Sequence, residues 1–145
     1  VPEIIISPAA DGSFALKAYD ATLEGESLSL EGPENNPNLG YWTNEKDAPL
    51  WKLNVPNAGK YQVQLNYAVD AGSEGSTLVV YVDGVDSGVK GTVKATGSWQ
   101  NYRTATLDGA LELTSGRHVV KIVVTKKTGF GVMNLRKVEL TRIAQ

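Results

Sequence analysis

The chain has 145 residues, 14 basic and 16 acidic side chains and a formal net charge of −2, which is the size of one domain with one core. A sequence pI of about 5.4 supplies no broad positive field, so neither a nucleic acid nor an anionic membrane is an expected partner. The absence of cysteine excludes a disulfide framework, a thiolate nucleophile and any Cys-ligated metal centre.

No stretch approaches the ~18–20 consecutive apolar residues of a membrane helix. Ile4-Ile5-Ile6 is too short for a signal-peptide core and lacks a basic flank. The chain starts at Val1 and reads as a mature or excised piece of a longer protein. Residues 1–13, with Pro2, Pro8, Asp11 and Gly12, read as a linker or a strand leading in from a preceding domain, and residues 14–145 as the domain itself.

Fifteen glycines and six prolines separate short alternating segments, the pattern of an antiparallel sandwich or barrel. Residues 31–40, Glu-Gly-Pro-Glu-Asn-Asn-Pro-Asn-Leu-Gly, form the most loop-like stretch, and loops of this kind often carry function. Tyr41 and Trp42 follow; as strand neighbours they would face opposite sides, so only one can serve a given surface. Trp51-Lys52-Leu53-Asn54-Val55 alternates with Trp51 inward, and Tyr61-Gln62-Val63-Gln64-Leu65-Asn66-Tyr67 repeats the pattern after a Pro56-Asn57-Ala58-Gly59 turn. The two segments read as a hairpin.

Leu78 to Val82 is a β-branched run ending in Asp83-Gly84, a strong hairpin-turn signal. Trp99 lies within Thr96-Gly97-Ser98-Trp99-Gln100, a turn, where a large apolar face either folds back on the core edge or serves as a stacking platform. His118 to Val124 is another apolar run after a Ser115-Gly116 turn. The last segment, Val132 to Ile143, changes phase: Met133 and Leu135 are odd, Val138 and Leu140 even, which predicts a bulge near Arg136-Lys137. No segment carries an apolar helical period, so the expected fold class is all-β, a single sandwich of roughly nine or ten short antiparallel strands.

Catalytic signals are weak. His118 is the only histidine and reads as a strand-edge residue. There is no Gly-x-Ser-x-Gly elbow and no P-loop, and Gly129-Phe130-Gly131 lacks the lysine and following helix of a phosphate cradle. Paired carboxylates for glycoside hydrolysis are compatible with 16 acids, but a chain this short rarely builds a deep cleft as well. Sugar rings, by contrast, need an aromatic face for their C–H surface and fixed polar groups for their hydroxyls. Asn134, between Met133 and Leu135, is either a buried structural amide or a donor–acceptor for paired hydroxyls.

Five elements in order resemble the family 6 and family 35 carbohydrate-binding modules. They are Leu39-Gly40-Tyr41-Trp42; Asp47 with Trp51-Lys52-Leu53-Asn54-Val55-Pro56; Ala58-Gly59-Lys60-Tyr61; Thr96-Gly97-Ser98-Trp99-Gln100-Asn101-Tyr102; and Met133-Asn134-Leu135. The similarity spans residues 14 to 143. It implies a galactose-binding-like β-jelly roll that binds carbohydrate without catalysis, attached to a glycoside hydrolase such as a fucosidase and secreted, periplasmic or at the cell surface. Carried onto this chain, Tyr41 and Trp99 would sandwich a sugar, Asn134 would bond it and Phe130 would add a wall. Trp51 and Tyr102 match positions that are usually core.

The family's structural calcium is not expected here. Its first-strand acids correspond to Lys17 and Tyr19 and its last-strand acid to Arg136, whereas calcium needs about 6–8 oxygen ligands. A shifted register would bring in Glu24 and Glu26 but leave Arg136. The carboxylate that often joins the sugar site has only Glu31, Glu34 and Asn36 as candidates. These departures keep a second reading open, a structural accessory domain of a glycoside hydrolase with a degenerate sugar site. No cofactor is expected.

Overall fold

The computed structural model describes residues 3–143. Thirteen strands follow in chain order: β1 Ile5–Ile6, β2 Phe14–Lys17, β3 Thr22–Glu24, β4 Ser29–Glu31, β5 Asn38–Gly40, β6 Ala48–Val55, β7 Gly59–Ala68, β8 Thr77–Val82, β9 Val85–Thr92, β10 Arg103–Thr106, β11 Leu111–Leu113, β12 Gly116–Lys126 and β13 Asn134–Arg142. They form two sheets. One runs β1-β6-β12-β8-β9 with β3 also on β6, and the other runs β10-β7-β13-β5-β4 with β11 on β7 and β2 on β13.

The strand count exceeds the expected nine or ten because several strands span only two or three residues. Such pieces carry no periodic signal; they form because a long neighbour offers unpaired backbone groups. β4 and β5 take up both ends of the stretch expected to be loop, pairing Ser29↔Gly40, Leu30↔Leu39 and Glu31↔Asn38, so the loop shrinks to residues 32–37. β1 departs from the antiparallel expectation: it lies parallel to β6, with Ile5↔Lys52 and Ile6↔Leu53.

The expected hairpin between Trp51–Val55 and Tyr61–Tyr67 does not form. β6 belongs to one sheet and β7 to the other, so the Pro56–Gly59 turn is an arch between layers. Alternation alone cannot separate the two outcomes, because both bury the same side chains. Trp51, Leu53 and Val55 from one sheet and Tyr61, Val63, Leu65 and Tyr67 from the other are all buried, facing each other across the core. Trp51 spans the gap: its indole N–H donates to the Lys17 carbonyl of the opposite sheet at 2.8 Å. Phe14 meets Tyr61 edge-on with ring centres 5.7 Å apart.

The Asp83-Gly84 hairpin forms as expected between β8 and β9, both turn residues having positive φ (51° and 81°), which suits a twisted two-residue turn. The bulge also falls where the phase change put it: β13 slips against β7 between Leu135 and Lys137. Among the described residues no helix is long and apolar enough to cross a membrane.

Replacing Trp51 with alanine removes the largest side chain that joins the two sheets. Denaturant unfolding of Trp51→Ala should show a loss of about 3–5 kcal/mol. Wild-type stability in that variant would mean that the inward assignment of this strand is wrong.

Candidate functional site

At one end of the sandwich, the chain entering β6, the turn after β9 and the loop before β13 enclose a cleft of about 240 Å³. Tyr41, Trp99 and Phe130 stand around it with Glu31, Gln100 and Asn134. Trp42 and Val132 line it from beneath, both almost fully buried. Tyr41 and Phe130 are 64% and 77% exposed, which is far more than large aromatic rings usually are. Trp42, one residue on, is only 1% exposed, so the pair does split between cleft and core.

Each ring is held by its backbone. Tyr41 sits at φ 54°, a left-handed conformation that costs a non-glycine residue about 1–2 kcal/mol. Trp42 fixes the next position: its indole N–H donates to Asp47 O at 3.1 Å, and its carbonyl accepts the Val132 N–H at 2.8 Å. Asp47 is itself buried, and its carboxylate accepts N–H bonds from Glu26 at 3.1 Å and from Ser27 and Leu28 at 2.9 Å. Burial pushes this carboxyl upward, but the three backbone N–H groups outweigh it and hold the pKa below the usual carboxylate range. The loop can wrap the carboxylate so closely because Gly25, at φ 113°, has no Cβ to overlap it.

The Trp99 turn is tied from below. Thr96 Oγ1 accepts the Val69 N–H at 3.0 Å and donates to Ser98 O at 3.1 Å, and Asn101 Nδ2 bonds Thr96 O. Trp99 is half-buried, one part of the ring packing on the core and the rest facing the cleft. Asn134 Nδ2 donates to Trp99 O at 2.9 Å, so this amide holds the turn and keeps its oxygen as an acceptor. The Phe130 loop is pinned against the 3₁₀ turn Ala71–Ser73: Ser73 Oγ accepts the Phe130 N–H at 3.2 Å, and Lys127 Nζ donates to Gly129 O and Phe130 O. Gly129 passes so near Ser73 Cα that a Cβ would collide with backbone.

Four of the five residues singled out by sequence therefore meet in one cleft: Tyr41, Trp99, Phe130 and Asn134. Asn36 lies elsewhere, on a cavity of about 490 Å³ with Lys17, Tyr19, Glu34 and Arg136. Of the three candidates for a cleft acid or amide, only Glu31 reaches the aromatic cleft, where its Oε1 accepts Asn38 Nδ2 at 2.9 Å. That position depends on the β4–β5 pairing, for which the sequence carries no clear signal. Gln100 also lines the cleft and has no signal beyond its place beside Trp99.

Tyr102, expected in the core, is only half-buried and lies under the Arg136 guanidinium, 3.7 Å from its ring centre. Burial raises its pKa; the Arg136 charge opposes that rise, and the Glu31 charge adds to it. His118 Nδ1 lies 2.7 Å from Asp83 Oδ2, an ion-pair geometry at the β8–β9 turn, and both line a different cavity, with Ile5 and Lys52.

The calcium implied by the resemblance does not fit these side chains. Lys17, Tyr19 and Arg136 line one cavity and bring two cations and a phenol to it. Glu24 is on the other sheet, paired with Lys121 at 2.8 Å, and the Glu26 backbone is engaged with Asp47. Among the described residues no three His, Cys, Asp or Glu side chains gather to hold a metal.

The sequence profile described as carbohydrate binding module (family 6) matches residues 17–142. The chain belongs to that family. No curated protein matches the module in sequence. Its fold is that of solved family 35 and family 6 modules. A family 35 module from Clostridium thermocellum is 19% identical with a TM-score of 0.74, over 90% of this chain and 98% of that one. The C-terminal family 6 module of a Zobellia galactanivorans laminarinase is 18% identical with a TM-score of 0.70, over 90% and 99%. A Podospora anserina mannanase carrying a family 35 module is 18% identical with a TM-score of 0.70, over 93% of this chain and 28% of that one. The β-sandwich jelly roll expected from the sequence is thus the fold of the module, and its family is one of non-catalytic domains.

Asp47 makes the module acid-sensitive in a defined direction. Its pKa is lower folded than unfolded, so its stabilisation is complete above the unfolded value, about pH 4, and fades as pH falls through the folded one. Asp47→Asn should lose about 1.5–3 kcal/mol at pH 7 in denaturant unfolding, and its stability should fall less steeply on acidification to pH 3. Equal stability at pH 7 would show that the three N–H bonds are not what holds this loop.

Proposed function

We propose that the module docks a glycan in the cleft between Tyr41, Trp99 and Phe130, without transforming it, and so holds an attached glycoside hydrolase on its substrate. The observation that carries this reading is the exposure of Tyr41 and Phe130 at the rim of a cleft that Trp99 also lines. Exposed rings held by well-bonded loops offer flat apolar faces to the C–H side of a sugar at little ordering cost. Glu31, Gln100 and the free oxygen of Asn134 supply acceptors and donors at the edge, where ring hydroxyls would lie.

A cleft of about 240 Å³ accommodates one or two sugar units, so affinity for a single site is modest. Its benefit is local concentration: tethered to the glycan, a linked catalytic domain meets its bond repeatedly without a fresh diffusive encounter. The glycan and a catalytic domain of the parent protein are therefore the partners, in a secreted, periplasmic or cell-surface setting. Among solved relatives, a mannanase and a Phanerochaete chrysosporium exo-β-1,3-galactanase contain regions that match this fold.

Titration with a panel of soluble neutral glycans, followed by tryptophan fluorescence, tests the reading, because Trp99 lines the cleft and Trp42 lies beneath it, whereas Trp51 is in the core. A saturable change is expected in wild type. Phe130→Ala, followed by the same signal, and Trp99→Ala, which lacks the reporter and is followed by titration calorimetry, should each weaken binding about tenfold or more, or about 1.4 kcal/mol. Silence across the panel would favour the accessory-domain reading instead.

Tyr41→Gly gives a sharper outcome. Removing the ring relieves the left-handed strain, so thermal stability should stay level or rise while glycan affinity falls about tenfold. A variant that binds like wild type would remove Tyr41 from the site.

A further inference from the structure

Outside the aromatic cleft, the cavity of about 490 Å³ beside β2, the 32–37 loop and the start of β13 gathers three cations, Lys17, Arg136 and Lys137. Lys17 and Lys137 are direct cross-strand partners, so two ammonium-bearing side chains leave the same face of the sheet side by side, an unfavourable pairing by itself. Lys137 has a partner in Glu139 at 2.6 Å, whereas Lys17 makes no ion pair among the described residues.

The bulge adds the third cation. In a regular strand Arg136 and Lys137 would point to opposite faces. Because β13 slips between Leu135 and Lys137, Arg136 is the extra residue and Lys137 opposes Asn66, and all three line the cavity. The Arg136 guanidinium carbon lies 3.7 Å from the Tyr102 ring centre, a contact that restricts where the group can sit. Its Nε is buried with no hydrogen-bond partner among the described residues. A guanidinium that lines the cavity beside an unpaired lysine, with one donor left without a partner, suits the charge and shape of an oxyanion. Asn36 and Asn66 add neutral amides, and Glu34 is the one acid on the wall.

We infer that this cavity is an anion site, which takes a carboxylate or sulfate group of an acidic glycan on Arg136 and Lys17. The assignment is independent of the aromatic cleft and uses the positions where the family resemblance would have placed a cation.

The test uses the whole isotope-labelled chain, titrated with sodium sulfate, sodium glucuronate and, as a neutral control, glucose. The reporters are the Arg136 Nε–H and the side-chain amides of Asn36 and Asn66. Saturable shifts with at least one anion and none with glucose are expected. A sulfate response alone identifies a sulfate ester and a glucuronate response alone a uronic acid. Lys17→Gln, at an exposed position, should weaken binding about tenfold, and Arg136→Lys should weaken it despite keeping the charge. Silence with both anions, an equal response to glucose, wild-type affinity in Lys17→Gln, or saturable shifts with calcium chloride would each overturn the inference. Because Trp99 lies in the other cleft, its fluorescence response leaves this outcome unaffected.

Discussion

A sheet with one apolar face must bury that face against something, and here each sheet is the cover for the other. Trp51 shows the constraint at its tightest: its ring fills the gap and its N–H reaches a carbonyl across it. Once the layers are locked face to face, the strand ends have little freedom left. The loops that cross between layers emerge at set positions, and those positions bring segments around residues 41, 99 and 130 to one end.

What turns these loops into a surface of defined shape is a set of buried and half-buried polar anchors rather than packing alone. Asp47 gathers three N–H groups, Thr96 joins the Trp99 turn to Val69, and Asn134 closes the turn from the last strand. Buried polar groups satisfied this fully rigidify their surroundings, since breaking one bond strands the others in a dry environment. Tyr41 shows the same logic from the other side. Its strained backbone persists only because Trp42, bonded on both sides, leaves the chain no easier path.

Local alternation made much of this legible. Strand positions, the inward face of Trp51, the Asp83-Gly84 turn and the β13 bulge each follow from neighbours within a few residues. Sheet membership does not. β6 and β7 look like a hairpin because the two-residue period is the same whether a turn folds a strand back in plane or lifts it to the next layer. The β4–β5 pair was equally hidden, and with it the place of Glu31. Tyr102 looked like core because an aromatic in a β-rich segment usually is; its burial is shared instead with a cation 34 residues further along the chain. The four cleft residues were found by their type and motif, whereas Asn36 shared the type but sits on a loop that turns to another face.

The position of β13 bears on how the molecule comes into being. The last strand in sequence is the middle of its sheet, with β7 on one side and β2 and β5 on the other. During synthesis β2, β5 and β7 have no common neighbour until residues 134–142 leave the ribosome. Roughly the first nine-tenths of the chain must therefore wait with that layer incomplete, and the sandwich closes late and nearly at once. Folding dominated by such distant pairings is slow, so the nascent chain is most exposed to misassociation just before its final strand arrives.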